Sequence, residues 1–165
     1  MKIAVINEVS TRAKNKDVLA GLRKLDLEVI NVGMSDEPAA NDLSYIHTGF
    51  MAGAVLNLGL ADLVIGGCGT GQGFLISAMQ YPNVYCGLIV EPVDAFLFSQ
   101  INAGNCISLA MNKGYGWAGE LNLEYIFEKL FAKTAGLGYP PERAEFQNTS
   151  RNLLKGVNQA THKTF

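Results

Sequence analysis

Short stretches of apolar residues recur at 3–6, 27–32, 63–65, 84–90 and 105–110, each followed by enough chain for a helix. Most of them are continuous rather than alternating, the pattern of strands covered on both faces; residues 27–32 alternate and stop at Gly33. The intervening segments carry apolar residues three and four apart. In 11–25 these are Val18, Leu19, Leu22 and Leu25, and in 43–58 they include Leu43, Ile46, Phe50, Met51, Val55 and Leu58. Further helices are predicted over 74–80, from Pro92 to about residue 101, over 117–133, and over 146–159. Parallel strands need crossover connections, and helices supply them. The chain therefore reads as an α/β protein: a three-layer α/β/α sandwich on a five-stranded, mostly parallel, Rossmann-like sheet. That domain is predicted to occupy residues 1–135. The Gly- and Pro-rich break at 136–141 then starts a C-terminal arm and helix, residues 136–165, packing on the same domain or on a dimer partner.

Charge removes several function classes. Thirteen Lys+Arg against 15 Asp+Glu leave −2, so no basic face for nucleic acid is expected. Charged residues are only 17% and apolar residues 48%, which favours a buried self-interface. No stretch is apolar enough to span a membrane, and the apolar run at the start is too short for a signal peptide. Three cysteines without a close pair point to a reducing compartment, so a cytoplasmic protein is expected. The absence of CxxC and HExxH spacing argues against a metal site.

Open α/β sheets bind ligands beyond the carboxyl ends of their strands. Asn7-Glu8, Cys68-Gly69-Thr70 and Glu91 stand at three such ends. The loop after the third strand, Gly66-Gly67-Cys68-Gly69-Thr70-Gly71-Gln72-Gly73, is the most informative stretch. Its glycines bare backbone N–H groups where a helix begins, a setting for an anion. The same setting favours a Cys68 thiolate, able to act as nucleophile or as proton-abstracting base. The competing reading is a small buried cysteine. A phosphate-binding P-loop is absent, because no Lys follows the glycines. The segment 69–74 reads GxGxGF rather than GxGxxG, which leaves dinucleotide binding a minor option.

Gly67-Cys68-Gly69-Thr70-Gly71-Gln72-Gly73 resembles the cysteine-glycine-threonine-glycine loop of the ribose-5-phosphate isomerase B and galactose-6-phosphate isomerase family. Glu91-Pro92, Ala95, Leu97, Asn102 and Asn105 resemble its second signature, and the likeness runs over residues 1–150. The resemblance implies a metal- and cofactor-free aldose–ketose isomerase of a small sugar phosphate, acting as a homodimer or dimer of dimers with sites between subunits. It implies Cys68 as the base that removes the proton beside the carbonyl. Thr70, Gly69, Gly71 and Gly73 would form the enediolate loop. Glu8 would join Cys68 and Thr70 as a catalytic residue that holds sugar hydroxyls, Asn7, Glu91 and Asn102 would bind the sugar, and Arg143 its phosphate. The sequence departs from the family at two histidines: Val9 and Ile101 stand in their places. The family's second C-terminal arginine falls near Gln147, with Arg12, Lys14 and Arg151 as substitutes. A non-catalytic sugar-phosphate sensor on the same fold is the alternative. His47 is expected to be a helical histidine beside the core-facing Ile46 and Phe50. Trp117, Tyr115 and Phe127 are expected to be core or dimer contacts, and Asn102 and Asn105 suit a turn as well as a ligand.

Overall fold

Of the strands that read as continuous apolar runs, the three inner ones have both faces covered, and the one that begins at Cys86 is a partly exposed edge. The computed structural model describes residues 1–165. Its strands are β1 (Lys2–Asn7), β2 (Glu28–Asn31), β3 (Leu63–Cys68), β4 (Cys86–Ile89) and β5 (Cys106–Ala110). They form one all-parallel sheet in the order β2-β1-β3-β5-β4. The central strands β3 and β5 are buried throughout, whereas β2, at one edge, is partly exposed.

The helices are α1 (Asn15–Leu22), α2 (Tyr45–Asn57), α3 (Gln72–Ala78), α4 (Pro92–Leu97), α5 (Gly119–Leu130) and α6 (Ala144–Thr161). Side-chain alternation splits the core in two. Ile3, Val5 and Ile65 meet Val18 and Leu22 of α1, Ala95 of α4 and Phe127 of α5 on one face. Ala4, Ile6 and Val64 meet Ala52 and Val55 of α2 and Phe74 of α3 on the other.

Several boundaries differ from the sequence reading. The first helix is preceded by a 3-10 turn, Val9–Lys14, capped by the Glu8 side chain. The fourth ends at Leu97 and continues as a wider π-type turn, Phe98–Asn102. The fifth starts only at Gly119, because Ala118 adopts a left-handed backbone with φ 60°. Trp117 is thereby left outside the helix and fully exposed, which overturns a core role.

Ile46 and Phe50 are also exposed rather than core-facing. α2 is apolar on nearly every side, so its periodicity did not mark the buried face. The face that packs is the one with small residues. A Cβ on Gly49 would lie 2.2 Å from Ser77 Oγ, and one on Gly53 2.5 Å from the Tyr81 ring. Close approach to α3 selects Gly49, Ala52 and Gly53 and turns the bulky residues outward. α6 lies largely in solvent, with Phe146 63% and Leu153 71% exposed. No helix is long and apolar enough to cross a membrane.

Candidate active site

Cys68 is the last residue of β3, buried, on the α2/α3 face of the sheet. Its carbonyl accepts from Gly71 N at 3.2 Å, which closes the turn, and from Met111 N at 3.1 Å. Gly71 has φ +76°, and a Cβ there would stand 2.4 Å from Leu88 Cδ1 and 3.2 Å from the Ala110 backbone. Ser108, buried in β5, donates its hydroxyl to Gly71 O at 2.5 Å. The turn is thus fixed from below. Thr70 Oγ1 accepts from Gln72 N at 3.3 Å, so this hydroxyl serves the start of α3. The Gly69 and Thr70 N–H groups make no hydrogen bond within the chain. Two successive amides next to a buried thiol can receive a developing oxyanion.

Glu8 continues β1 with an extended backbone, so it shares the face of Ala4, Ile6 and Cys68. It is buried, its N–H meets Gly67 O at 3.4 Å, and its carboxylate accepts from Ser10 N at 3.1 Å and from Ser10 Oγ. Ser10 Oγ lies 3.5 Å from the position a Gly69 Cβ would take. Glu8 and the Cys68 loop are therefore adjacent. Tyr45, at the start of α2, places its ring against Gly73, 2.9 Å from a hypothetical Cβ.

The turn after β5 closes the other side. Asn112 N donates to Gly69 O at 2.8 Å, and its side-chain amide lies 2.7 Å from a Gly69 Cβ position. Lys14 Nζ donates to Met111 O at 2.6 Å and to Asn112 Oδ1. The ammonium also sits 4.4 Å from the centre of the Tyr115 ring, whose hydroxyl donates to Asp17. Burial lowers the Lys14 pKa. Burial first, and the Asp17 contact second, raise that of Tyr115.

A family model described as Ribose/Galactose Isomerase matches residues 3–134. The chain belongs to this isomerase family. No curated protein matches it. Among solved structures, a ribose-5-phosphate isomerase from Vibrio parahaemolyticus shares 51% identity over 99% of this chain and 78% of that one, with a TM-score of 0.94. A 4-deoxy-L-threo-5-hexosulose-uronate ketol-isomerase, solved with a tartrate, shares 43% identity over 100% of this chain and 79% of that one, at a TM-score of 0.95. A ribose-5-phosphate isomerase B from Clostridium thermocellum, at 19% identity and covering 97% of this chain and 99% of that one, has a TM-score of 0.79 and shows the shared fold.

Other expected site residues of this isomerase lie elsewhere in the single chain. Asn7 follows Ile3 and Val5 in the alternation, so its side chain enters the α1/α5 face, opposite Cys68. There it is fully buried, with both amide atoms unpartnered. Glu91 follows the edge strand β4, two strand spacings or about 10 Å from β3. It is exposed and forms a reciprocal cap with Asp94 at the start of α4. Asn102 and Arg143 line a cleft of about 570 Å³ with Tyr85, Cys86, Phe146 and Arg151. Asn102 precedes β5 and Tyr85 precedes β4, so this cleft opens at the amino end of the sheet, opposite Cys68. Ile101 lines it too.

The remaining candidates are occupied. Asn105 accepts from Tyr85 N at 2.9 Å and donates to Asn83 O at 2.7 Å, a turn role. His47 Nδ1 accepts from Ser44 N at 3.1 Å and so caps α2. Arg12 pairs with Asp42 at 3.5 Å. Arg151 donates to Ile101 O at 2.7 Å and Gly136 O at 3.0 Å. Gln147 is bonded to both main-chain polar groups of Tyr139. Cys86 and Cys106 begin β4 and β5 at the amino end, which leaves Cys68 the one cysteine at the carboxyl end. Sequence reasoning missed Ser10, Tyr45, Ser108 and Asn112. Ser10, Ser108 and Asn112 meet the loop through the strand order, and Tyr45 through the packing of α2 on α3, neither of which a local signal encodes.

Proposed function

We propose that the chain is an aldose–ketose isomerase of a small sugar with an anionic end group, working without a metal through a cis-enediolate, with Cys68 as base. The observation that carries this reading is the pair of unclaimed N–H groups, Gly69 and Thr70, directly after the buried Cys68. The Cys68 thiolate takes the proton from the carbon beside the carbonyl. That carbon–hydrogen electron pair forms the enediolate double bond, and the carbonyl pair moves onto oxygen. The Gly69 and Thr70 amides stabilise the oxyanion. The hydroxyl proton of the enediolate shifts to the neighbouring oxyanion, and return of the abstracted proton to the former carbonyl carbon then completes the isomerisation. Glu8 holds the sugar hydroxyls on the same face of the sheet.

The sugar carries a phosphate in the first reading, bound by Arg143. Arg143 and Asn102 lie at the opposite end of the sheet from Cys68, so the complete site needs the cleft of a second copy. A homodimer supplies it, and the exposed apolar residues Leu153, Leu154 and Val157 of α6 offer surface for pairing. A monomer by light scattering at micromolar concentration with full activity would refute this arrangement.

A second reading replaces phosphate with a carboxylate. Val9 and Ile101 bring no imidazole to open a ring or pair with phosphate, and the relative at 43% identity is a hexosulose-uronate isomerase solved with a hydroxy-dicarboxylate. One assay in deuterated water tests both, with ribose 5-phosphate and 4-deoxy-L-threo-5-hexosulose-uronate as substrates. Deuterium entering the product of one identifies the end group. Binding of either, seen as a raised Tm, without deuterium entry supports a non-catalytic sensor instead.

A further inference from the structure

Lys14 holds no carboxylate, although it is partly buried at the mouth of the site. Two of its three ammonium protons go to Met111 O, at 2.6 Å, and to Asn112 Oδ1, and the charge faces the Tyr115 ring. One α-helical turn later, Asp17 accepts from the Tyr115 hydroxyl. The start of α1 therefore grips the 111–115 turn at successive points. α1 follows β1, and the gripped turn follows β5; β3 lies between those two strands. The grip spans the carboxyl end of β3, where Cys68 and Gly69 stand.

What is gripped holds those two residues in turn. Met111 N donates to Cys68 O and Asn112 N to Gly69 O, at 3.1 and 2.8 Å. Apart from Gly71 N, which closes the loop's own turn on Cys68 O, the residues that donate to the carbonyls of Cys68 and Gly69 are the two that accept from Lys14. We infer that Lys14 is a positioning residue of the isomerase site: acting through Met111 and Asn112, it fixes the peptide that carries the base and presents the Gly69 and Thr70 amides. The inference rests on Cys68 being the base. An ammonium suits the task because one side-chain amide and one peptide carbonyl both need a donor at the same point, and Lys offers several on a flexible stem.

The test compares Lys14→Met, which keeps the stem, with Lys14→Arg, which keeps the donors. Amide hydrogen exchange is followed at Met111 and Asn112, with Val5 and Ile6 of β1 as the reference for global opening. Lys14→Met should speed exchange at Met111 and Asn112 by roughly tenfold over any change at the reference, and lower kcat by about 10–10²-fold with KM within about threefold. Lys14→Arg should recover most of both. The substrate is whichever of ribose 5-phosphate or 4-deoxy-L-threo-5-hexosulose-uronate the wild type converts. Uniform speeding of all amides, unchanged exchange at Met111 and Asn112, or unchanged kcat would each overturn the inference. The Cys68→Ala variant is measured alongside. If it remains active, the base assignment itself fails and the positioning role falls with it; if it is dead while Lys14→Met is unimpaired, only the role of Lys14 is refuted.

Discussion

Gly71→Ala is the substitution whose cost can be worked most directly from the geometry. The backbone at Gly71 has φ +76°, a left-handed conformation that costs an L-residue about 1–2 kcal/mol. Restricting the unfolded chain returns roughly 0.4–1 kcal/mol. Contact adds a further term. The new methyl would stand 2.4 Å from Leu88 Cδ1, the movable end of a side chain, but also 3.2 Å from Ala110 Cα and N, which are main chain of β5. Overpacking of this kind costs about 1–3 kcal/mol. Gly59→Ala separates the two terms, because Gly59 has φ +65° with nothing within 4 Å of a Cβ. Gly59→Ala should therefore lose about 1 kcal/mol or less, and Gly71→Ala about 2–4 kcal/mol, read as urea midpoints at unchanged m. Turnover should fall only for Gly71→Ala, because the displaced turn carries the Gly69 and Thr70 amides. If Gly71→Ala is no more destabilising than Gly59→Ala, the tight seating of this turn against β5 is wrong.

Cys68→Ala should abolish isomerisation, by about 10²–10⁴-fold or more, while the variant still folds; near-wild-type turnover would remove Cys68 from the mechanism. Activity should survive EDTA, since no group of three or more His, Cys, Asp or Glu is placed to hold a metal ion; loss on chelation with recovery by one divalent ion would contradict the metal-free scheme. The raised Tyr115 value implies an alkaline weakness. The folded state keeps this proton where the unfolded chain loses it, so the contribution is present below the ordinary tyrosine value of about 10 and disappears as pH rises from there toward the folded value. Urea midpoints should decline above that pH in the wild type and less steeply in Tyr115→Phe. Parallel declines would show that Tyr115 is not the group responsible.

The sequence by itself determined the layers of this protein. Continuous apolar strands such as Ile3–Ile6 and Leu63–Ile65 are buried on both faces and require helices above and below, a constraint set by hydrophobicity and backbone hydrogen bonding alone. The Cys68–Gly73 loop was equally legible, because glycine at a strand-to-helix turn and a thiol beside bare amides are local chemistry. Local chemistry did not reveal which residues face that loop. Asn7 is adjacent to Glu8 in the chain yet enters the opposite face of the sheet, since successive strand residues alternate. Glu91 lies beyond the carboxyl end of a strand as the Cys68 loop does, but the order β2-β1-β3-β5-β4 sets β5 between them and leaves Glu91 to cap its own helix. Asn102 precedes a strand rather than following one, which puts it at the far end of the same sheet. Lys14 and Asn112, separated by most of the chain, meet because β1 and β5 flank β3. Strand order and face are decided by which helices pack together over the whole chain, and only the tertiary structure contains that choice.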